Sequence, residues 1–464
     1  MGAKVRNVLI AAVALAAIYT GAAWAIGARV QSELQQREQQ LLASVPYVRI
    51  VSRDYRRGIY QSSEQVTYGI GGPMAQSLRL TPAGRSLLGL QLTIHERIRH
   101  GPLPGFSSFA LATVDTQVQL PPALEHELRA RLGGRAPLQI HSVLDWLGGG
   151  RVELTSPALQ MRAADGSTID WQGLVGRISF TQGMRTWSMT MSVPGLSASG
   201  HAGGQGEGGS AALHVQLTGL RVSSQGQLAY DSLHLGHTTL TLQQLQIQPT
   251  SGSGLRLLNV AYDTTAKLDG DYIDGAAQLS AASVQAAGFS ATQVDYAQRL
   301  SHVHGPAVAA FAQAMRNLQA SAGEAAARTD ILQAFQRFGT QVALHAPVLQ
   351  ISRAGFVTPQ GQLQFSGRLT MPGLQAADLQ GPVPMLALLR HLQVSADLRA
   401  DVGLVNQLLS GPRGAALAAQ LAVLEGQGYL KRDGGAYVSH LSLQDGRISF
   451  NGEPYPPLPG APRP

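Results

Sequence analysis

The chain has 464 residues, of which 44% are hydrophobic and only 14% charged, and its formal net charge is +7. That balance excludes a disordered chain, which combines low hydrophobicity with high net charge, and the absence of cysteine excludes disulfides, thiol nucleophiles and Cys-based zinc sites. The basic charge is nearly all arginine, spread along the chain without a stripe of interleaved aromatics, so no nucleic-acid partner is expected.

From the N-terminus, Lys4 and Arg6 precede a stretch, residues 7–28, without a charged side chain. At about 1.5 Å per residue it reaches ~33 Å, enough to cross a hydrocarbon core of ~30 Å. The reading is a membrane anchor (1–28) with its cationic side cytoplasmic and the body exported, which in a bacterium means the periplasm. A cleaved signal peptide ending at Ala23–Trp24–Ala25 is the competing reading.

Residues 29–46 predict a juxtamembrane helix with Val30, Leu34, Leu41 and Val45 on one face, interrupted by Arg37 and ended by Pro46. It either packs on its own domain or pairs two copies as a homodimer stalk. Residues 47–300 read as an antiparallel β region, because apolar and polar residues alternate with a period of two. In "LTLQQLQIQ" Leu240 and Leu242 alternate, then Leu245 and Ile247 do so one residue out of phase, which predicts a bulge. Residues 200–211, glycine-rich, mark a loop or seam. Residues 301–345 form a helical insertion, with Phe311, Met315 and Leu318, then Leu332, Phe335 and Phe338, at helical spacing. Residues 346–452 hold strands, further helices near 383–425 and a closing hairpin, and 453–464 is a Pro-rich tail.

The closing hairpin is the most specific local prediction. Asp445–Gly446 favours a two-residue primed turn. It would place Leu443 opposite Ile448 and Leu441 opposite Phe450, with all four on one face. The fold class is therefore α+β, mostly β: an N-terminal transmembrane helix followed by a long, curved, largely antiparallel sheet with a helical insertion.

Three short motifs stand out in order. The first is Tyr55-x-Arg57-Gly58-x-Tyr60-x-Ser62, the second His100-Gly101-Pro102, and the third Gly446-x-Ile448-x-Phe450-Asn451-Gly452. With the anchor and the helical insertion, they make the chain resemble the YdgA-like family of bacterial envelope proteins, whose function is unknown. The resemblance covers essentially the whole chain. It implies anchoring in the inner membrane with the body in the periplasm, and it supplies no catalytic residues. Within the first motif Gly58 is expected to take positive φ at a turn or bulge. Arg57 is expected to donate hydrogen bonds at that corner, and Arg56 to stay in water.

Chemistry-bearing constellations are sparse. His302-x-His304, with His345 further on, could hold a metal, but satisfied surface histidines are the commoner outcome of such spacing. Asp269, Asp271 and Asp274 lack the calcium-loop pattern. No nucleophile elbow, phosphate loop or dinucleotide fingerprint occurs. No cofactor is expected. Two functions follow as expectations. One is a non-enzymatic scaffold or apolar groove handling lipid or an envelope protein. The other is a periplasmic enzyme acting on cell-wall or glycan substrates, which would need convergent paired acids.

Overall fold

The computed structural model describes residues 19–35, 38, 48–71, 91–106, 109–119, 128, 130–162, 166–202, 211–230, 233–249, 252–286, 288–320, 324–380, 384–410 and 414–455. The protein is mostly β, its strands forming antiparallel pairs, with a few helices. Contacts divide it into two compact units. The first takes the chain to Met161, Asp170–Pro194 and a short piece of the later helical region, and the second takes the rest.

In the first unit the strands run β1 (Val48–Arg56), β2 (Gln61–Ile70), β3 (Gln91–His100), β4 (Ala112–Gln119), β5 (Gln139–Leu144) and β6 (Gly150–Ser156). Short strands β7 (Leu159–Arg162) and β8 (Thr168–Trp171) follow, then β9 (Leu174–Phe180) and β10 (Thr186–Ala202). Each of β1 to β5 pairs with the next, β6 returns to β9, and β9 pairs with Trp187–Ser192 of β10. On β2 every second residue is buried (Ser62, Glu64, Val66), the alternation of a strand with one covered face. What covers it is the helix over residues 19–35. Ala23 and Val30 are fully buried, and Val30 joins a core of Ile98, Leu111, Ala112, Val114 and Leu144 against which Ile26 and Leu34 also pack. The spacing 23, 26, 30, 34 is one helical stripe, and burying a valine fully contributes about 1.5–3 kcal/mol. The face expected for Val30 and Leu34 is thus occupied by the chain's own sheet, while Leu41 and Val45 lie outside the described residues.

The second unit holds β11 (Ala211–Tyr230), β12 (Leu233–Pro249), β13 (Leu255–Asp269), β14 (Tyr272–Ala286), β15 (Phe289–His304), β16 (Val348–Thr358), β17 (Gly361–Thr370) and β18 (Gln393–Asp401). It ends with β19 (Lys431–Asp433), β20 (Ala436–Gln444), β21 (Arg447–Phe450) and β22 (Glu453–Pro454). From β11 to β18 each strand pairs with the next, β18 pairs with β20, and β20 with β21. The helical insertion is a pair of helices, Gly305–Ala320 and Glu324–Ala343. Phe311 lies 4.9 Å from Phe335 and 4.7 Å from Phe338 between ring centroids. The later helical region resolves into Pro384–His391, Val402–Leu409 and Gly414–Gly426.

The closing hairpin has the predicted register, Leu443 opposite Ile448 and Leu441 opposite Phe450. Asp445 and Gly446 both take positive φ, 52° and 70°, as a type I′ turn requires. The bulge expected in β12 is a different device. Pairing between β12 and β13 keeps one register from Leu242 opposite Val260 to Gln244 opposite Leu258, so no residue is inserted. Instead, every ladder from β11 to β15 leaves out the same row, and Gly219, Asn259 and Gln293 on alternate strands of that row have φ of 66°, 48° and 51°. A left-handed residue inside an extended strand turns the side-chain direction by one step, as in a bulge. The apolar pattern changes phase at this row in all five strands: Leu217 to Leu220, Leu242 to Leu245, Leu257 to Val260, Ala281 to Val284, and Ala291 to Val294.

Gly219 is the tightest point of this crease, where an added Cβ would come within 2.5 Å of the Gln243 side chain. Gly219→Val should destabilise the protein by about 1–3 kcal/mol, read as a lower urea midpoint. Gln293→Gly, which relieves a left-handed non-glycine, should cost far less. Equal losses from both would show that the crease carries no conformational constraint.

Candidate functional site

The first two sequence motifs meet at one place, beneath the N-terminal end of the helix over residues 19–35. His100 ends β3, and Ser62 lies on β2, whose Gln61 pairs with Arg99. Both side chains are about 1% exposed. The His100 Nε2 is 3.0 Å from Ser62 Oγ, and its Nδ1 is 3.0 Å from the backbone oxygen of Ala23. A carbonyl only accepts, so Nδ1 carries the proton. Burial, and secondarily Arg57, pushes the imidazole below its usual pKa, so the ring is neutral, Nε2 is an acceptor and Ser62 donates to it. A serine, a histidine and a carbonyl in line resemble a nucleophile–base pair. Here the helix lies directly on the ring: a Cβ added at Gly27 would stand 2.6 Å from the imidazole. The arrangement is a latch that closes the helix onto the sheet.

The other motif residues surround that latch. The Tyr60 hydroxyl hydrogen-bonds Thr20, its ring stacks on Tyr19 at 6.0 Å, and its carbonyl accepts from the His100 backbone. Gly101, at φ 128°, donates to Leu111 and sits under Ala23, where a Cβ would be 3.3 Å from the alanine methyl. Pro102 follows it, and the carbonyl of the next residue, Leu103, accepts from the Tyr19 hydroxyl. Tyr55 packs against the core, and burial raises its pKa. Two expectations are corrected. Arg57 is exposed and lies over the Trp24 ring, 4.9 Å from its centroid, so its contact is with an aromatic face rather than a hydrogen-bond acceptor. Gly58 does not take positive φ; it is needed because a Cβ there would come within 2.3 Å of the Gln61 carbonyl oxygen. Arg56 stays in water as expected, paired with Asp54 at 3.0 Å.

Further along the same face lies a polar cluster that the sequence did not reveal. Arg53 pairs with both Glu38 of the helix and Glu64 of β2, and Tyr68 donates to Glu38 at 2.6 Å. Glu64 stands directly opposite Glu96 on β3, and Thr116 donates to Glu96 at 3.1 Å. Burial raises the pKa of both glutamates and, with the Glu96 charge, pushes Tyr68 up to about 12. The only available signal was a glutamate at an inward position of each strand.

In the second unit, the third motif ties the closing hairpin to the preceding helix. Asn451 Oδ1 accepts from the His440 backbone, while its amide donates to the carbonyls of Gly428 (2.8 Å) and Tyr429 (3.3 Å). Phe450 packs on Tyr429 at 4.4 Å, and Gly446 and Gly452 have positive φ. His302 stacks on Tyr272 and His304 on His345, both at 3.7 Å, so sequence-distant His345 joins the pair. Asp274 accepts from the His302 backbone at 2.9 Å. Among the described residues no cluster of three or more metal-ligating side chains occurs.

The sheet of this unit carries an unbroken cross-strand row, Leu240, Tyr262, Leu279, Tyr296, Ala354 and Phe365, continuing to Leu398. It remains partly open: Tyr262 and Leu279 are 38% and 40% exposed. A groove of about 620 Å³ on this sheet has a mixed lining, in which Asp295, Arg353, Asp397, Arg399 and His440 are the charged or titratable members beside apolar residues such as Phe356 and Leu363, with His440 2.7 Å from Asp397. Asp295 on β15 and Asp397 on β18 are three strand steps apart, ~14 Å at about 4.8 Å per step. Paired acids in glycoside hydrolysis stand about 5–9.5 Å apart.

A model of the DUF945 family, bacterial proteins of unknown function, matches residues 4–457. The chain belongs to that family. No curated protein and no solved structure matches it. For this DUF945 protein, the match therefore adds a bacterial source and whole-chain family membership to the geometry, without a reaction. Among the described residues no helix is long and apolar enough to cross a membrane, and residues 7–18 of the expected anchor lie outside them.

The latch has a pH signature. The folded pKa of His100 is depressed, so below about 6.5 the unfolded chain takes up a proton that the folded one refuses, and stability falls as pH drops from there toward the folded value. Glu64 and Glu96, with raised values, act in the opposite sense. Comparing thermal unfolding at pH 7.5 and pH 5.5 for wild type and His100→Gln cancels the glutamates. The wild type should lose more stability than the variant over that interval, and equal losses would remove His100 from the account.

Proposed function

We propose that this protein is anchored in the bacterial inner membrane by its N-terminal apolar segment. Its β body lies on the periplasmic side and shelters acyl chains of lipid on the apolar face of the second unit. The observation that carries this reading is the apolar row from Leu240 to Leu398, seven strands wide and exposed at Tyr262 and Leu279. Large apolar side chains left exposed within a continuous apolar row are costly and point to an interaction site. The finer family resemblance, to the YdgA-like envelope proteins, supports the same location. So does the latch: Ala23, in the motif after which a signal peptidase would cut, is buried and hydrogen-bonded to His100, which favours a retained helix over a cleaved signal. The reading involves no catalytic step and no cofactor.

The alternative, an enzyme acting on cell-wall or glycan substrates, would draw on the opposed pair Glu64 and Glu96. The Glu64 side chain is 4% exposed and ion-paired with Arg53, which leaves a polymer no approach to it.

Two measurements test the proposal. A reporter active only in the periplasm, fused after Pro464, should be active; cytoplasmic activity overturns the orientation. Full-length protein in detergent, given a phospholipid with a photoactivatable acyl chain, should be labelled on the peptides spanning β13 and β14. Tyr262→Glu with Leu279→Glu should lower that labelling roughly tenfold, as about 1.4 kcal/mol of lost affinity would. Labelling confined to the N-terminal segment in both proteins would sink the acyl-chain reading.

A further inference from the structure

One end of the first unit's sheet differs in chemistry from an ordinary protein surface. The register puts four turns at that end: 57–60 between β1 and β2, 101–111 between β3 and β4, 145–149 between β5 and β6, and 181–185 between β9 and β10. Residues 19–24 of the described helix lie at the same end, because Tyr19 reaches Leu103, Thr20 reaches Tyr60, and Trp24 lies under Arg57. The only charged residues in these turns are Arg57, Asp145 and Arg185. Asp145 is already engaged, accepting the backbone N–H groups of Leu147 and Gly149. Beside the exposed Arg57, Asp145, Thr181, Gln182 and Arg185, six large apolar or aromatic side chains are exposed there: Trp24 at 54%, Ile59 and Tyr60 at 48%, Leu103 at 42%, Phe109 at 79% and Leu147 at 80%.

We infer that this end of the sheet is a membrane-contacting surface, its turn tips seated in the headgroup layer of the bilayer that holds the N-terminal segment. The inference rests on the anchoring proposed above. Its second support is a length. From Tyr19 onward the helix makes protein contacts, Tyr19 to Leu103 and Thr20 to Tyr60, with Ala23 and Val30 fully buried. The uncharged residues before that point, 7–18, number 12; even at the helical rise they would reach only ~18 Å, short of a ~30 Å hydrocarbon core. A span that short draws the body against the membrane surface. The side chains brought there are those that favour the interface: aromatic rings with polar edges, aliphatic tips, and arginines that suit phosphate headgroups.

Because the chain has no cysteine, a single introduced one carries a label at a known position. Full-length Ile59→Cys, Phe109→Cys and Leu147→Cys would each be labelled with an environment-sensitive fluorophore and reconstituted into vesicles of phosphatidylethanolamine and phosphatidylglycerol. Gln139→Cys, exposed at the opposite end of the sheet, is the reference. The three tip labels should be quenched by nitroxide-bearing lipids and be several-fold less accessible to aqueous iodide than the Gln139 label. If the protein stays with the vesicles through an alkaline carbonate wash but iodide reaches all four labels alike, the surface inference fails and the anchor stands. If the wash strips the protein off, the anchor fails and this inference with it.

Discussion

A neutral imidazole held between a helix carbonyl and a strand hydroxyl decides how the first unit is assembled. Once Ala23 supplies an acceptor, His100 has one tautomer, and Ser62 has one role, that of donor. The ring then needs a flat, close helix surface, which Gly27 gives because any Cβ would collide with it. It also needs β2 and β3 in a fixed register, so that positions 62 and 100 come side by side. A buried polar group is tolerable only when each hydrogen-bonding atom is met. The latch meets both ring nitrogens, so its polarity specifies the fit instead of opposing it. Tyr60, Gly101 and Arg57 follow from that placement, since each touches the turn of helix that the latch fixes.

What could be read from the sequence divides along the range of the interactions. The closing hairpin was legible because its turn residues and its apolar partners lie within ten positions, and both gave one register. The helical insertion was legible for the same reason: its phenylalanines repeat at three and four. The latch was visible only as residues in a family motif. Its pairs are 38 and 77 residues apart, and nothing in "YQSSEQ" shows that Ser62 turns toward a helix that comes forty residues earlier. Arg57 was misjudged because its partner, Trp24, belongs to the segment read as membrane anchor, so no acceptor or ring on the sheet could suggest the contact. Gly58 shows a related limit: glycine was rightly read as required, but the cause is a crowding oxygen, not a left-handed backbone.

The polar cluster at Arg53 shows how much charge the chain is willing to bury for the sake of that same helix. Glu64 and Glu96 face each other across two strands, where like charges repel. Burial and mutual proximity raise the pKa of Glu64, while Arg53, shared with Glu38, pulls it back. Glu38, itself helical and three residues beyond the described helix, supplies one of the two carboxylates that Arg53 pairs with. This segment is therefore held at two levels, by an imidazole at Ala23 and by an arginine at Glu38, with apolar packing at Val30 and Leu34 between them.

The crease in the second unit completes the argument about the apolar face. Period-two alternation keeps a face apolar only while the phase holds, and in five strands the sequence changes phase at one row. In flat strands Leu245 and Ile247 would look away from Leu240 and Leu242, dividing the apolar surface between both sides of the sheet. A one-residue bulge in β12 would repair that strand alone and shift its register against both neighbours. Left-handed residues at Gly219, Asn259 and Gln293 in a common row let the strands change phase together, and the ladders on either side keep their register. Two left-handed non-glycines, Asn259 and Gln293, are a steep requirement for a sheet that serves only as packing, since each costs of order 1–3 kcal/mol. The requirement makes sense if a continuous apolar face is what the second unit exists to present.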